Sequence, residues 1–217
     1  MSATFRHEFI RFALAQNVLC FGEYETKAGR LSPYFFNAGL FHDGQSLKRL
    51  SRFYAQAIVA GGVEFYMLFG PAYKGIPLVA AVAIALTEEG RNVRYSFNRK
   101  ETKDHGEGGG IIGAALEGRV LIVDDVISAG TSVRESVDLI RAARASPCGV
   151  AIALDRMERG TGELSAAQEV ERLYQMPVIS IATLADLVAY LQTEKEMSSN
   201  LAAVNRYRTK YGVAAHA

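Results

Sequence analysis

The chain has 217 residues, 49% hydrophobic and 22% charged, which excludes a disordered or fibrous protein and suits one well-buried domain or at most two small ones. Its 24 Lys and Arg against 23 Asp and Glu leave a net charge of +1, so no electrostatic footprint for DNA or RNA is expected. Two cysteines (Cys20, Cys148), four scattered histidines and no apolar run near the ~20 residues of a spanning helix exclude a disulfide scaffold, a Cys/His zinc theme and a membrane span.

In chain order, Met1 to Phe9 carries Arg6, His7 and Glu8 with no long apolar run behind it, so no signal peptide is expected and the predicted compartment is cytoplasmic. Phe5, Phe9, Phe12 and Ala13 fall at i, i+4, i+7 and i+8, the stripe of an amphipathic helix. Tyr34-Phe35-Phe36 reads as strand or core packing, and Leu47, Leu50, Tyr54 and Ile58 repeat the helical stripe. A β-rich run at 65–69 precedes a third helix, expected from Ile76 to about Glu88 and buried on most sides because its middle is Ala, Val, Ile and Leu. After runs at 93–97 and 120–123, Ser132-Val133-Arg134-Glu135 has the spacing of a capping box, with Val133, Val137 and Ile140 on one face of the helix it would open. Runs at 150–154 and 178–181 lead to a last helix opened by Thr183, with Leu184, Leu187, Val188 and Leu191. Continuous apolar strands alternating with helices predict an α/β fold, a mostly parallel central sheet flanked by helices. Ligands of such sheets bind beyond the carboxyl ends of the strands, here 70–75, 98–110, 124–132 and 155–156.

At 120–132 a buried strand ends in Asp124 and Asp125, and the small-residue loop Val126-Ile127-Ser128-Ala129-Gly130 leads through Thr131 and Ser132 to a helix start. Backbone amides, two hydroxyls and the helix dipole suit a phosphate. The carboxylates suit vicinal sugar hydroxyls. Together they fit a ribose 5-phosphate. Solvated strand-end acids with Ser132 as a mere cap is the weaker reading, since a purely structural loop has no use for the paired acids. Phe69-Gly70-Pro71-Ala72-Tyr73-Lys74-Gly75 reads as a structural turn, or as a second anion loop built on backbone amides and one ammonium. In 98–110 the basic Arg99, Lys100, Lys103 and His105 are offset by Glu101, Asp104 and Glu107. That segment is a solvated loop or, with its glycines, a lid. Arg156 after a buried strand suits an ion pair or a carboxylate ligand.

The segment Val-Asp-Asp-Val-Ile-Ser-Ala-Gly-Thr-Ser (123–132) resembles the phosphoribosyl diphosphate (PRPP) signature of type I phosphoribosyltransferases. With Lys-Ala-Gly-Arg-Leu-Ser-Pro-Tyr-Phe-Phe-Asn-Ala-Gly (27–39), Phe-Gly-Pro-Ala-Tyr-Lys-Gly-Ile-Pro (69–77), Asn-Arg-Lys-Glu-Thr-Lys-Asp-His-Gly-Glu-Gly-Gly (98–109) and Leu-Asp-Arg (154–156), essentially the whole chain resembles bacterial orotate phosphoribosyltransferases. The resemblance implies a type I phosphoribosyltransferase fold as a single domain over 1–217, with a small N-terminal hood mainly within 1–40 and a flexible catalytic lid at about 99–110. It implies Mg²⁺-dependent transfer of 5-phosphoribosyl from PRPP to orotate, giving orotidine 5′-phosphate and diphosphate in pyrimidine biosynthesis. Mg²⁺ would be held mainly by PRPP and water, with no direct protein ligand.

By the same resemblance Lys103, Asp124 and Asp125 are catalytic. PRPP is bound by Lys27, Tyr73, Lys74, Arg99, Lys100, Lys103, His105 and the run Asp124, Asp125, Val126, Ile127, Ser128, Ala129, Gly130, Thr131 and Ser132. Orotate is bound by Phe35, Phe36, Ser128 and Arg156. Arg99, Lys103 and His105 would reach the neighbouring subunit's site, while Lys100 stays with its own, making a homodimer with shared active sites. Ser128 departs from the Thr expected in close relatives and keeps the hydroxyl. His7, His42 and His216 receive no role. A purine phosphoribosyltransferase would not need Arg156 opposite a carboxylate. A PRPP-sensing regulator would carry a nucleic-acid module or basic surface, or lose Lys103. Too few residues follow Asp125 for a receiver domain.

Overall fold

The computed structural model describes residues 1–26, 28–100, 110–128, 130–160 and 162–213. Helix α1 (Ala3–Ala15) precedes a hairpin of β1 (Leu19–Glu25) and β2 (Leu31–Phe36). There follow α2 (Gly44–Gly61), β3 (Met67–Gly70), α3 (Gly75–Glu88), β4 (Arg94–Asn98), β5 (Ile111–Gly113), β6 (Arg119–Val123) and α4 (Thr131–Ala142). The chain closes with β7 (Ser146–Asp155), α5 (Ala166–Tyr174), β8 (Val178–Thr183), α6 (Leu184–Thr193) and α7 (Ser198–Tyr211).

Six strands form one sheet in the order β5-β4-β3-β6-β7-β8. All neighbours are parallel except β4 and the edge strand β5, which run antiparallel. The period of two in each strand divides the interior into two cores. Met67, Phe69, Val120, Ile122, Val150 and Ile152 pack with Val133, Val137 and Ile140 of α4 and Val170 of α5. The alternate residues Leu68, Leu121, Val123, Ala151 and Ala153 face the larger core with α1, α2, α3, α6 and α7. Burial on both faces explains why these strands are continuous apolar runs rather than alternating ones. No described helix is long and apolar enough to cross a membrane.

Local chemistry sets several helix starts. The Asp43 carboxylate caps α2 through the amides of Gln45 and Ser46, both at 2.9 Å. The Thr183 hydroxyl caps α6, accepting from the Asp186 amide at 3.2 Å as expected. Helix α3 departs from expectation: its inner flank is buried, but Ile84 is 68% exposed, because a helix of the outer layer has the sheet and α2 on one side only. The β1–β2 hairpin stands apart from the main sheet as its own two-stranded sheet. Helix α1 packs against this hairpin, the Phe9 and Phe36 ring centres 6.4 Å apart. Most of the expected lid, 101–109, lies outside the described residues.

The turn from β3 into α3 is closed tightly. A Cβ on Gly70 would fall 2.2 Å from the Gly75 carbonyl oxygen and 2.7 Å from Val79, and a Cβ on Gly75 would fall 2.7 Å from Pro71 Cδ. Gly70→Ala is therefore expected to cost about 1–3 kcal/mol through forced backbone displacement. Urea denaturation would show a lower midpoint at unchanged slope; an unchanged midpoint would mean that the turn has room these distances deny it.

Candidate active site

The carboxyl end of β6 places Asp124 and Asp125 side by side, only 6% and 8% exposed. Each oxygen has a partner. Asp124 Oδ1 accepts from the Asp125 amide at 2.9 Å and Oδ2 from the Ser132 hydroxyl at 2.7 Å. Asp125 Oδ1 accepts from the Val126 amide at 2.9 Å, and Oδ2 meets Lys74 Nζ at 2.6 Å. The backbone is pinned as well: the Tyr54 hydroxyl donates to the Asp124 carbonyl at 2.7 Å, and the Ala153 amide to the Asp125 carbonyl at 2.9 Å. Burial pushes the Asp124 carboxyl up to about 6, with the Asp125 charge adding to the rise while Ser132 and the Asp125 amide oppose it.

Beyond the acids, the partly buried Val126 packs against the larger core and Ile127 against the smaller. Gly130 caps α4 in the left-handed conformation, φ +69°. This corrects the expected capping box. Thr131 opens the helix, no side chain caps it, and Ser132 lies inside the first turn with its hydroxyl turned to Asp124. The left-handed glycine starts the helix before Ser132 can serve as its cap. The amides of that first turn are the kind of donors a phosphate takes.

A cavity of about 270 Å³ joins this turn to the neighbouring loops; Ala72, Asn98, Lys100, Ser128, Thr131 and Ser132 are among its lining residues. Asn98 Oδ1 accepts from the Ala72 amide at 2.8 Å, tying the end of β4 to loop 70–75. Tyr73 is 66% exposed, and Lys100 Nζ lies 5.6 Å from its ring centre. The Arg99 amide donates to the Gly110 carbonyl at 2.7 Å, joining the two feet of the 101–109 segment. Lys100, Ser128, Gly130, Thr131 and Ser132 thus line one cavity, and Lys74 with Asp125 lines a second of about 410 Å³. Lys27, Lys103, His105 and Ala129 lie outside the described residues.

Arg156 follows the end of β7, three positions past the Ala153 rung that pairs with Asp125. Its Nε and Nη2 donate to Glu158 Oε1 at 2.9 and 2.6 Å, and Nη2 also to Ser32 Oγ at 3.0 Å. Burial opposes the Arg156 charge, but Tyr34 and Glu158 hold its basicity above the usual guanidinium value. Strand alternation separates the two phenylalanines. Phe35 is 46% exposed and stacks on Tyr24 at 5.3 Å, whereas Phe36 is buried against Phe9. The Phe36 ring is part of the core. Sequence reasoning missed Tyr54, Asn98, Ser32 and Glu158. Tyr54 was visible only as one member of an apolar stripe, and the other three carried no local signal.

Divalent-cation chemistry fits the donor set in one way. With all four oxygens of Asp124 and Asp125 engaged, an ion would meet them through water and take its direct ligands from a phosphate-bearing substrate.

A family model for the phosphoribosyl transferase domain matches residues 38–173. An orotate phosphoribosyltransferase of Thiobacillus denitrificans is 65% identical over 209 residues, spanning 96% of this chain and 99% of the relative. One of Chromobacterium violaceum is 66% identical over 209 residues, spanning 96% and 98%. The crystal structure of the Francisella tularensis orotate phosphoribosyltransferase superposes with a TM-score of 0.86 at 38% identity, covering 94% of this chain and 99% of that one.

The raised Asp124 value makes this residue a stability cost at neutral pH. The unfolded chain ionises near 3.8 and the folded one near 6, so stability is lost as pH rises between those values and stays lower above them. Asp124→Asn is expected to stabilise the fold at pH 7 by about 1–3 kcal/mol while abolishing activity. Denaturation of both proteins from pH 4 to 8 checks this: the gap should close toward pH 4, and a constant gap would refute the titration.

Proposed function

Because the chain belongs to the phosphoribosyltransferase family and, within it, to the orotate phosphoribosyltransferases, we propose a residue-level account of how it joins orotate to the ribose 5-phosphate of PRPP, releasing diphosphate. The observation that carries the account is the convergence of the uncapped start of α4 and loop 70–75 on the Asp124–Asp125 pair, through Ser132 on Asp124 and Lys74 on Asp125.

Transfer at an anomeric carbon passes through a cation-like state, as in glycoside hydrolysis. The enzyme must anchor the 5-phosphate, hold the ribose, neutralise the leaving diphosphate and exclude water. The 128–132 turn takes the phosphate on its amides and the Thr131 hydroxyl. Asp124 and Asp125 hold the ribose hydroxyls and face the developing positive charge. Tyr73 and Lys74 meet the diphosphate, Lys74 being shared between it and Asp125. Lys27 adds a further cation on PRPP. Mg²⁺, when bound with PRPP, would supply charge neutralisation on the diphosphate oxygens.

The 99–110 segment acts as the lid. Lys100 serves its own site, while Arg99, Lys103 and His105 serve the partner's, with Lys103 stabilising charge on the departing diphosphate. This requires at least a two-fold dimer. Exposed Ile84 on α3 and Tyr95 on β4 offer apolar surface for such a contact. Orotate lies between the Phe35 ring, the Phe36 backbone and Ser128, its carboxylate on Arg156, which distinguishes it from uracil. The whole chain works as one domain in the cytoplasm, as a step of pyrimidine biosynthesis.

An ultraviolet assay should show orotate consumed only with PRPP and Mg²⁺ both present, and no turnover of uracil, hypoxanthine or guanine. Turnover of a purine would keep the PRPP site and overturn the base assignment. Lys103→Ala should lower kcat by at least about a hundredfold, the scale of a lost charge contact in the transition state, with little change in melting temperature. Mixed with Asp125→Asn protein, it should regain activity in hybrid dimers; no recovery after proven subunit exchange would place the lid in its own site.

A further inference from the structure

Arg156 is held on three sides. Its guanidinium lies 4.2 Å from the centre of the Tyr34 ring. One edge, Nε with Nη2, is taken by Glu158 Oε1, and Nη2 is shared with Ser32 Oγ. Glu158 is itself fixed, its Oε1 accepting from the Tyr34 hydroxyl at 3.2 Å and its Oε2 from the Tyr207 hydroxyl at 3.1 Å. A planar cation with a face on a ring and an edge on a carboxylate has one orientation left to it. Both side chains are largely buried, 21% and 15% exposed, so neither charge swings out to solvent without loss.

The origin of these groups matters. Arg156 and Glu158 lie within the matched 38–173 domain, whereas Ser32 and Tyr34 come from the β1–β2 hairpin and Tyr207 from α7, both outside it. The domain provides the guanidinium, and the terminal elements set its aim. An ordinary strand-end ion pair needs no such assembly.

The same junction is also held by bonds that do not involve these oxygens. The Arg159 amide donates to the Tyr211 carbonyl at 2.9 Å and the Val213 amide to the Met157 carbonyl at 2.8 Å. Arg30 Nη1 reaches the Arg159 carbonyl at 2.7 Å. Loss of one hydroxyl or one charge in the Glu158 network therefore leaves the hairpin and α7 docked.

We infer that Glu158, held by Tyr34 and Tyr207, is a positioning residue for base selectivity: it fixes Arg156 so that Nη1, the nitrogen that neither Glu158 nor Ser32 takes, meets the carboxylate of the pyrimidine substrate. This rests on the assignment of Arg156 to that carboxylate.

Steady-state kinetics of Glu158→Gln, Tyr207→Phe and Arg156→Gln in the full-length chain test it. The first two should raise the KM for orotate about five- to tenfold, the effect of one misdirected charged hydrogen bond, with the KM for PRPP within about twofold. Tyr207→Phe should leave the melting temperature nearly unchanged, whereas Glu158→Gln, which leaves a largely buried guanidinium without its carboxylate, should lower it. Arg156→Gln should raise the orotate KM further. If Glu158→Gln and Tyr207→Phe leave the orotate KM unchanged while Arg156→Gln raises it, the positioning role is wrong and the carboxylate assignment stands. If Arg156→Gln leaves it unchanged, both are wrong. Parallel rises in both KM values with a lower melting temperature would reduce the network to a structural clamp. Should Glu158→Gln fail to fold, Tyr207→Phe keeps the ring and decides the matter alone.

Discussion

Two adjacent carboxylates buried at the end of a central strand are costly unless every oxygen is answered, and much of this molecule is arranged around that constraint. Asp124 and Asp125 are answered from three directions: their own backbone, Ser132 at the start of α4, and Lys74 at the start of α3. For those groups to converge, β6 must lie between β3 and β7 in the sheet, which is its place. The same arrangement leaves the first turn of α4 without a side-chain cap, facing the cleft. The open helix start and the satisfaction of buried charge are thus one construction.

The two cores supply the rigidity behind it. Because adjacent residues of β3, β6 and β7 face opposite layers, the strand ends cannot shift without disturbing both. Tyr54 illustrates the coupling: buried in α2, it reaches across the larger core to the Asp124 carbonyl. The near contact of Gly70 and Gly75 folds loop 70–75 back on the strand, bringing Lys74 within reach of Asp125. Beyond the end of β7, Arg156 meets Ser32 of the β1–β2 hairpin and Glu158, to which Tyr207 of α7 donates in turn.

Legibility in the sequence followed the length of the contacts involved. Helices with a clean stripe, such as α1 and α2, and strands that are continuous apolar runs could be read from the chain. The hairpin strand β1 was missed because Gly22 bulges it between Phe21 and Tyr24 and its far end carries Glu23 and Glu25. The short edge strand β5 is only Ile111–Gly113, and α7 has apolar residues too widely spaced for a clear stripe. The capping box at Ser132 failed for a related reason. Its spacing is a local rule, and a tertiary partner, Asp124, claims the hydroxyl once Gly130 has turned the chain.

The sequence by itself determined the family and the composition of the 123–132 loop, because the small-residue turn and the paired acids are contiguous and a short motif records them whole. It also determined the parallel α/β architecture, through apolar runs whose burial on both faces suppresses alternation. Only the tertiary structure decided which phenylalanine is exposed and which is core, that Ser132 serves Asp124, and that Arg156 meets residues 32, 34 and 158 while Tyr207 holds Glu158. Those side chains come from three separate elements. Side-chain hydrogen bonds between distant elements have no period and no fixed spacing, so their partners become visible only when the chain has closed on itself.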